Sequence, residues 1–411
     1  MTQGRQASAE VYDLVVIGAG ILGLATAREL LLNRPATRLL VVEKESRIAA
    51  HQTGHNSGVL HAGLYYPPGS LKARLCRSGK AMLESFADEH DIAVERCGKL
   101  VIATNQIELG ALDELRRRGD ANGVPGLQML GPEGIRDIEP HAVGLRALWS
   151  PSTAIIDYVA VAGALADDVT ASGGTIRLDA EVTGISWGSG LLQLRIGSQT
   201  VASRNVISCA GLHADRVARM TGAAASETMV PFRGRYFMLS PSARKLVRGL
   251  IYPVPDPQFP FLGIHLTRRI DGEVLVGPNA VLAYRREGYR RRDLQVSELR
   301  TVLGDPGFRR LARRHWRTGL AEIWRDFDKA AFTRAVRRFV PELRSRDLQS
   351  GPSGVRAQAI DPDGALVDDF RLGSAPRILH VRNAPSPAAT ASLAIARHLV
   401  RQAESQFVDL T

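Results

Sequence analysis

Cysteine is scarce: Cys76, Cys97 and Cys209 are the only three in 411 residues, and none sits in a CxxC pair. So few, so far apart and odd in number, they exclude a disulfide framework and a thiolate metal site. They fit buried thiols of a reducing compartment. Long apolar runs are also missing, and no segment approaches the roughly 18 uncharged apolar residues that a spanning helix needs. The opening MTQGRQASAEVYD has no apolar h-region, so it does not read as a secretory signal. No GxSxG elbow and no cluster of metal ligands occurs, which argues against a hydrolase and leaves no metal expected. Internal repeats, low-complexity tracts and Pro/Gly/Ser linkers are absent too. The expected location is cytoplasmic, with attachment to the inner face of the cell membrane as the alternative.

What is present is a chain long enough for two domains with sizeable cores. Its charge is unevenly placed. The net charge is +11, and residues 285–346 alone hold 18 Lys/Arg against 8 Asp/Glu, an excess of ten. That segment includes Arg290-Arg291-Arg292, Arg309-Arg310 and Arg313-Arg314. One reading is a solvated arginine-rich face. The other is a patch that docks on anionic lipid. No nucleic-acid-binding module accompanies the arginines, so a nucleic-acid partner is not expected.

Val11 to Ile17 is a short β-branched run that ends in Gly18-Ala19-Gly20-Ile21-Leu22-Gly23. A helical pattern follows through Leu32, then a second apolar run from Leu39 to Val42 that ends in Glu43. This is strand, glycine turn, helix, strand: a βαβ unit opening a parallel sheet. In a GxGxxG turn the first glycine allows the bend and the second lets the backbone approach a pyrophosphate. The third lets helix and strand pack closely. Glu43, twenty residues beyond Gly23, is placed to accept hydrogen bonds from a ribose. The motif indicates a dinucleotide without separating NAD from FAD.

Further periodic segments read as helices at Leu71 to Glu89 and Tyr158 to Ala171, and as strands at Thr175 to Ile185 and Leu191 to Ile196. Val206 to Cys209 reads as a buried strand stopped by Ala210-Gly211. From Pro231 to Pro278, short runs broken by Pro, Gly and Asp suggest antiparallel strands. The basic segment 285–346 is largely helical by pattern. A last strand, Ile378 to Val381, precedes a helix from Ala388 to Val400.

After the acidic strand comes His51-Gln52-Thr53-Gly54-His55-Asn56-Ser57-Gly58-Val59-Leu60-His61-Ala62-Gly63. Small residues with hydroxyl and amide groups let a backbone pass close to a flat ring system and offer it donors. In this order of elements the chain resembles the D-amino-acid-oxidase-like superfamily of FAD proteins. The resemblance implies an α/β fold: a Rossmann-like FAD-binding domain with an inserted α+β substrate domain built on an antiparallel sheet. The expected boundaries are 10–95, 150–215 and 350–405 for the first, and 96–149 and 216–349 for the second. It also implies FAD contacts at Gly18, Gly20, Ile21, Leu22, Gly23, Glu43, Lys44, Thr53, Gly54, His55, Asn56, Ser57, Val182, Ala210 and Gly211. Asn383, Ala384, Pro385 and Ser386 would follow, where the C-terminal helix points its N-terminus at the flavin.

Within that superfamily the chain resembles the L-2-hydroxyglutarate oxidase/dehydrogenase family over nearly its whole length. HQTGHNSGVLHAGLYY (51–66), PFRGRYF (231–237), the stretch 251–290, GVRAQAIDPDG (354–364) and HVRNAPSPAATAS (380–392) carry it. The resemblance implies oxidation of L-2-hydroxyglutarate to 2-oxoglutarate, with electrons passed to oxygen, a quinone or another electron-transfer partner. Oxidising such a substrate requires a fixed cation for the α-carboxylate and a base for the hydroxyl proton. Arg356 is the expected clamp, since its fork matches a carboxylate. His61 and His265 are the two candidate bases. Tyr65, Tyr252, Arg233 and Arg235 are available for the distal carboxylate, and Asn383 is placed to donate to the flavin or to the substrate. The nearest alternative is a related enzyme acting on glycerol 3-phosphate or an amino acid. A flavin-binding protein without turnover, or a scaffold driven by the basic patch, is the alternative of another kind.

Overall fold

The computed structural model describes residues 10–223, 227–255 and 262–407. Residues 256–261, within one of the family-like stretches, lie outside the described residues.

Continuous apolar runs, not alternating ones, build the first sheet. Leu14 to Ile17 and Leu39 to Val42 are all buried, as a parallel sheet covered on both faces requires. Val11–Ile17 pairs in parallel with Leu39–Val42 on one side and Gln199–Ser208 on the other. Thr175–Arg177 extends the sheet beyond the former and Ile378–Asn383 beyond the latter, both in parallel. The helices Ile21–Asn33, Leu71–Glu89, Tyr158–Ala171 and Ser392–Gln406 share one core with the sheet through Leu24, Leu30, Phe86, Leu165 and Leu399. The strands of this eight-stranded sheet come from three separated stretches of chain. Distant segments therefore meet at the C-terminal ends of its strands.

The chain between those stretches contributes a second, nine-stranded sheet. Its pairs are antiparallel apart from Leu250–Pro253, which runs parallel to Lys99–Ala103. The longest pair joins Thr228–Leu239 to Leu348–Ile360. Residues 348–360 thus belong to this sheet, although a boundary at 350 had been expected. Phe332, Val336 and Phe339 from the basic segment close its core against Phe237 and Leu348.

Three details differ from the sequence expectation. Thr175 to Ile185 is two strands, Thr175–Arg177 and Val182–Gly188, separated by a turn in which Asp179 takes a φ of 51°. The basic segment is helical only from Val296 onward, since 285–295 forms turns. The last helix starts at Ser392 and not at Ala388. Pro385 and Pro387 remove two N–H donors and restrict the residues before them, so the chain makes turns there first. Among the described residues no helix is long and apolar enough to cross a membrane.

Candidate active site

A cavity of about 630 Å³ runs from the C-terminal end of the first sheet to the face of the second. Its first wall is the glycine turn. Gly18 holds a φ of 102°, and a Cβ there would lie 2.6 Å from the Cys209 carbonyl oxygen. A Cβ on Gly23 would lie 1.9 Å from the Gly18 carbonyl oxygen, so no larger residue fits. Gly20 caps the helix without any side-chain bond, and the Ile21 N–H donates to Thr53 Oγ1 at 3.1 Å. The helix N-terminus, with its unsatisfied N–H groups and positive dipole end, thereby faces the cavity. Gly18, Gly20, Ile21, Leu22 and Thr53 line it, whereas Gly23 serves the helix–strand contact behind it.

Glu43 stands at the end of the second strand, buried, and accepts from Ala19 N at 2.8 Å and Glu45 N at 3.0 Å. Each of its oxygens keeps a lone pair for a ribose hydroxyl. Next to it, Lys44 bonds Glu287 at 2.6 Å and also Glu45, while His213 bonds Glu287 at 2.9 Å. Burial alone would raise the Glu287 carboxyl, but bonds from His213 and Lys44, with His51 nearby, hold it well below its ordinary range. Glu45, His51 and Glu287 lie close enough to chelate an ion. Lys44 already supplies the positive charge there.

The 51–58 loop folds on itself. Asn56 donates to the Thr53 carbonyl at 2.7 Å and accepts from Gly58 N at 2.8 Å. Gly54 is required because a Cβ would lie 2.6 Å from the Ala49 carbonyl oxygen, and it does not line the cavity. His55 reaches the Ser353 carbonyl at 3.1 Å and stacks on Tyr289 with centroids 4.2 Å apart. Gln52, which sequence reasoning passed over, accepts from Ala357 N at 3.0 Å and so ties this loop to the Arg356 strand. Ser57, Val182, Ala210, Gly211, Ala384, Pro385 and Ser386 all line the cavity as expected. The glycine cradle, free helix end, ribose-facing carboxylate and small-residue rim fit FAD.

Asn383 differs. It is buried behind the wall, where it donates to the Val367 and Asp369 carbonyls at 2.9 and 3.0 Å, and it does not line the cavity. Arg233 is also placed elsewhere. It forms a buried ion pair with Asp326 at 2.8 Å, outside the cavity. Strand alternation turns it away from the face that Tyr236 presents. Arg235 reaches the Asp326 carbonyl at 3.2 Å and covers Phe237.

His61, Tyr65, Tyr252, His265 and Arg356, by contrast, all line the far end together. Burial pushes the His265 imidazole down to about 3, assisted by Arg356 and Lys99, against the bond from Gly263. It is therefore uncharged at neutral pH. Its Nδ1 lies 2.8 Å from the Gly263 carbonyl oxygen, which fixes the proton on Nδ1 and leaves Nε2 free to accept. His265 also stacks on Tyr252, with centroids 4.0 Å apart. His61 is likewise held well below its ordinary value, first by burial and then by Lys99 and His265. Its Nδ1 is buried without a hydrogen-bond partner, as is the Tyr65 hydroxyl. Thr390 fixes this end, accepting from His61 N at 3.1 Å and joining the Tyr158 hydroxyl at 2.9 Å.

Two residues here escaped sequence reasoning. Tyr236 is buried, lines the cavity and feels the charge of Arg356. Lys99 is 1% exposed and lies over the rings of Tyr252 and Tyr65, at 4.4 and 5.1 Å. Alternation along PFRGRYF could have flagged the first. Nothing in KLVIA marks the second.

Comparison with known proteins gives the following. Residues 13–402 match the model of the FAD dependent oxidoreductase family. The chain is 46% identical to a mitochondrial L-2-hydroxyglutarate dehydrogenase of Nematostella vectensis, over 97% of this chain and 91% of that one. It is 45% identical to an Escherichia coli K12 L-2-hydroxyglutarate dehydrogenase, over 96% and 94%. The human mitochondrial counterpart is 42% identical over 98% and 91%. Among solved structures, an FAD-bound L-alpha-glycerophosphate oxidase from Mycoplasma pneumoniae superposes with a TM-score of 0.78 at 24% identity, over 95% and 94%. A glycine oxidase from Geobacillus kaustophilus gives 0.70 at 18%, over 97% and 96%. These two show the fold.

Proposed function

The chain belongs to the FAD dependent oxidoreductase family, with L-2-hydroxyglutarate dehydrogenases as close relatives, and from that premise we propose that it oxidises L-2-hydroxyglutarate to 2-oxoglutarate. FAD is the cofactor, held by the glycine turn, Glu43 and the small-residue rim, and it supplies the hydride acceptor. The observation that carries the substrate reading is the far end of the cavity. There a guanidinium with no ion pair among the described residues, Arg356, stands beside a neutral histidine whose tautomer is fixed.

In this reading Arg356 and Tyr236 bind the α-carboxylate. His265 Nε2 accepts the hydroxyl proton as the Cα–H bond breaks. A neutral imidazole is the form that can accept, and burial keeps His265 in that form across the physiological range while weakening it as a base. His61 Nδ1 stands on the same cavity as a second acceptor or donor. Burial of the whole cluster strengthens these contacts by excluding water. The test is anaerobic mixing of the holoenzyme with each enantiomer of 2-hydroxyglutarate while following oxidised-flavin absorbance. Rapid bleaching by the L form and little by the D form is expected. An unbleached flavin with both would defeat the reading, and glycerol 3-phosphate or an amino acid would be tried next.

The electrons then pass to a membrane quinone or another electron-transfer partner, and the helix Trp316–Phe327 supports contact with an anionic membrane surface. That helix is inverted. Asp326 and Glu322 point inward, taking bonds from Arg233, Arg291 and Asn279 and from the Ala280 N–H. Trp316, Leu320, Ile323, Trp324 and Phe327, spaced along one face, are each between 46% and 66% exposed. Arg309, Arg310, Arg313, Arg314 and Arg317 beside them form no ion pairs among the described residues. An apolar stripe rimmed by arginines suits a bilayer interface with acidic headgroups. Sedimentation with phosphatidylglycerol-containing vesicles should show binding that weakens as salt rises, and that is lost in Trp324→Ser/Phe327→Ser. Absence of binding at low salt would leave the segment as solvated surface.

A further inference from the structure

Among the described residues Lys99 is one of the deepest charged side chains, and none of them is its counter-ion. It is 1% exposed, and among the described residues it forms no ion pair. Lys72, the other lysine near this end, is answered by Asp368 at 2.9 Å. An ammonium taken out of water without a carboxylate is costly, and a fold keeps one only where something else answers it. The faces of Tyr65 and Tyr252 answer it in part, through their negative π-clouds. Both tyrosines also line the cavity, and His265 stacks on Tyr252.

A second observation lies beside it. Among the described residues the buried Tyr65 hydroxyl has no hydrogen-bond partner. A buried donor left open next to an uncompensated cation is the arrangement that an anion would complete. His265 feels the charges of both Arg356 and Lys99, so both cations act on this end of the cavity.

We propose that Lys99 and Tyr65 form the subsite for the distal carboxylate of the substrate, with the Tyr65 hydroxyl donating to it and Lys99 balancing its charge from behind the tyrosine pair. Arg356 holds one end of a dicarboxylate and this pair the other, so the enzyme selects diacids over 2-hydroxy monoacids. The inference rests on the 2-hydroxyglutarate reading and deepens it. Lys99 does not itself line the cavity, so it is a positioning residue, and Tyr65 makes the contact.

A linked proton gives a readout that a merely structural lysine would not. Burial holds the Lys99 ammonium down to about 7, with Cys76 and Cys97 acting weakly the other way. Among the described residues, the titratable groups it touches or feels are Tyr65, Tyr252, His61, His265, Cys76 and Cys97, none of them anionic at neutral pH. At pH 8 the side chain is therefore mostly neutral, and binding a dianion draws a proton onto it.

Two measurements on the holoenzyme test this. The first compares kcat/KM for L-2-hydroxyglutarate and (S)-2-hydroxypentanoate, in which a methyl group replaces the distal carboxylate. Lys99→Met should cut the preference for the diacid by about 10- to 100-fold, mainly through KM, with Tyr65→Phe cutting it less. Retention of the wild-type preference in both variants would overturn the proposal. The second is calorimetric titration with glutarate at pH 8 in buffers of different ionisation enthalpy. Wild type should take up close to one proton per glutarate, falling towards none at pH 6, and Lys99→Met should take up none at either pH. Equal uptake by wild type and Lys99→Met would also overturn it. A wild-type flavin that 2-hydroxyglutarate fails to bleach would count against the substrate reading alone, while the glutarate titration would still decide the role of Lys99. Tyr65→Phe removes a single oxygen, so it decides the first measurement should Lys99→Met fail to fold.

Discussion

Arg233 and Lys99 are both buried cations of the second sheet, yet their surroundings are opposites. Arg233 is closed in: Asp326 meets it at 2.8 Å and also takes bonds from Arg291 at 2.9 Å and Asn279 at 3.0 Å. Around Lys99 the set is open, with two aromatic faces, an orphan tyrosine hydroxyl and an orphan imidazole nitrogen. A polar cluster that answers itself holds elements together. One left unanswered awaits a ligand. The first joins the Thr228–Leu239 strand to the Trp316–Phe327 helix, and the second lies against the cavity where the reaction is placed.

The contrast can be broken most directly at Asp326. Asp326→Ala leaves Arg233 buried and unpaired, and should lower stability by about 3–5 kcal/mol in urea unfolding. A loss below about 1 kcal/mol would mean that the cluster is not closed in the sense described. Next in size is Arg356→Lys, where one point charge replaces a two-pronged contact. A loss of about 2–3 kcal/mol in transition-state binding is expected, roughly 30- to 150-fold in kcat/KM, carried mostly by KM. Unchanged saturation by L-2-hydroxyglutarate would remove Arg356 from the scheme.

The smallest effect is also the one with an unusual sign. Lys99→Met should leave stability unchanged or raise it by about 1 kcal/mol, because an apolar side chain of similar volume replaces an uncompensated charge. The gain should depend on pH. The folded-state value of about 7 lies below the ordinary lysine value of 10.5. Between these the unfolded chain holds a proton that the folded chain has shed, so wild-type stability rises with pH across that window. The advantage of the variant is therefore largest at and below pH 7 and shrinks towards pH 10. A pH-independent difference between the two proteins would show that Lys99 is not desolvated as described.

Much of the first sheet was legible in the chain. The bounds of Val11–Ile17, Leu71–Glu89, Tyr158–Ala171 and Leu191–Ile196 coincide with the runs read from the pattern, since a doubly covered strand and a one-sided helix leave different periods. The glycine turn and Glu43 were legible for the same local reason. His61, His265, Tyr65, Tyr252 and Arg356 were singled out, and the fold gathers them on one cavity. Arg233 and Asn383 look no different in sequence from those five, but the fold turns them behind the walls. Lys99 went unnoticed because a lysine at the start of KLVIA reads as a solvated strand end.

The sequence by itself determined the dinucleotide cradle. Its requirements are met within one βαβ unit by residues that a larger Cβ would exclude, and such steric constraints are written in the order of the residues. Only the tertiary structure decided which polar side chains are satisfied. The partners of Lys99, Arg233 and Asn383 come from strands and helices far away in the chain. Whether a buried charge finds a carboxylate or only two aromatic faces depends on how the second sheet folds back over the first, and that difference separates a residue that supports the fold from one that awaits a substrate.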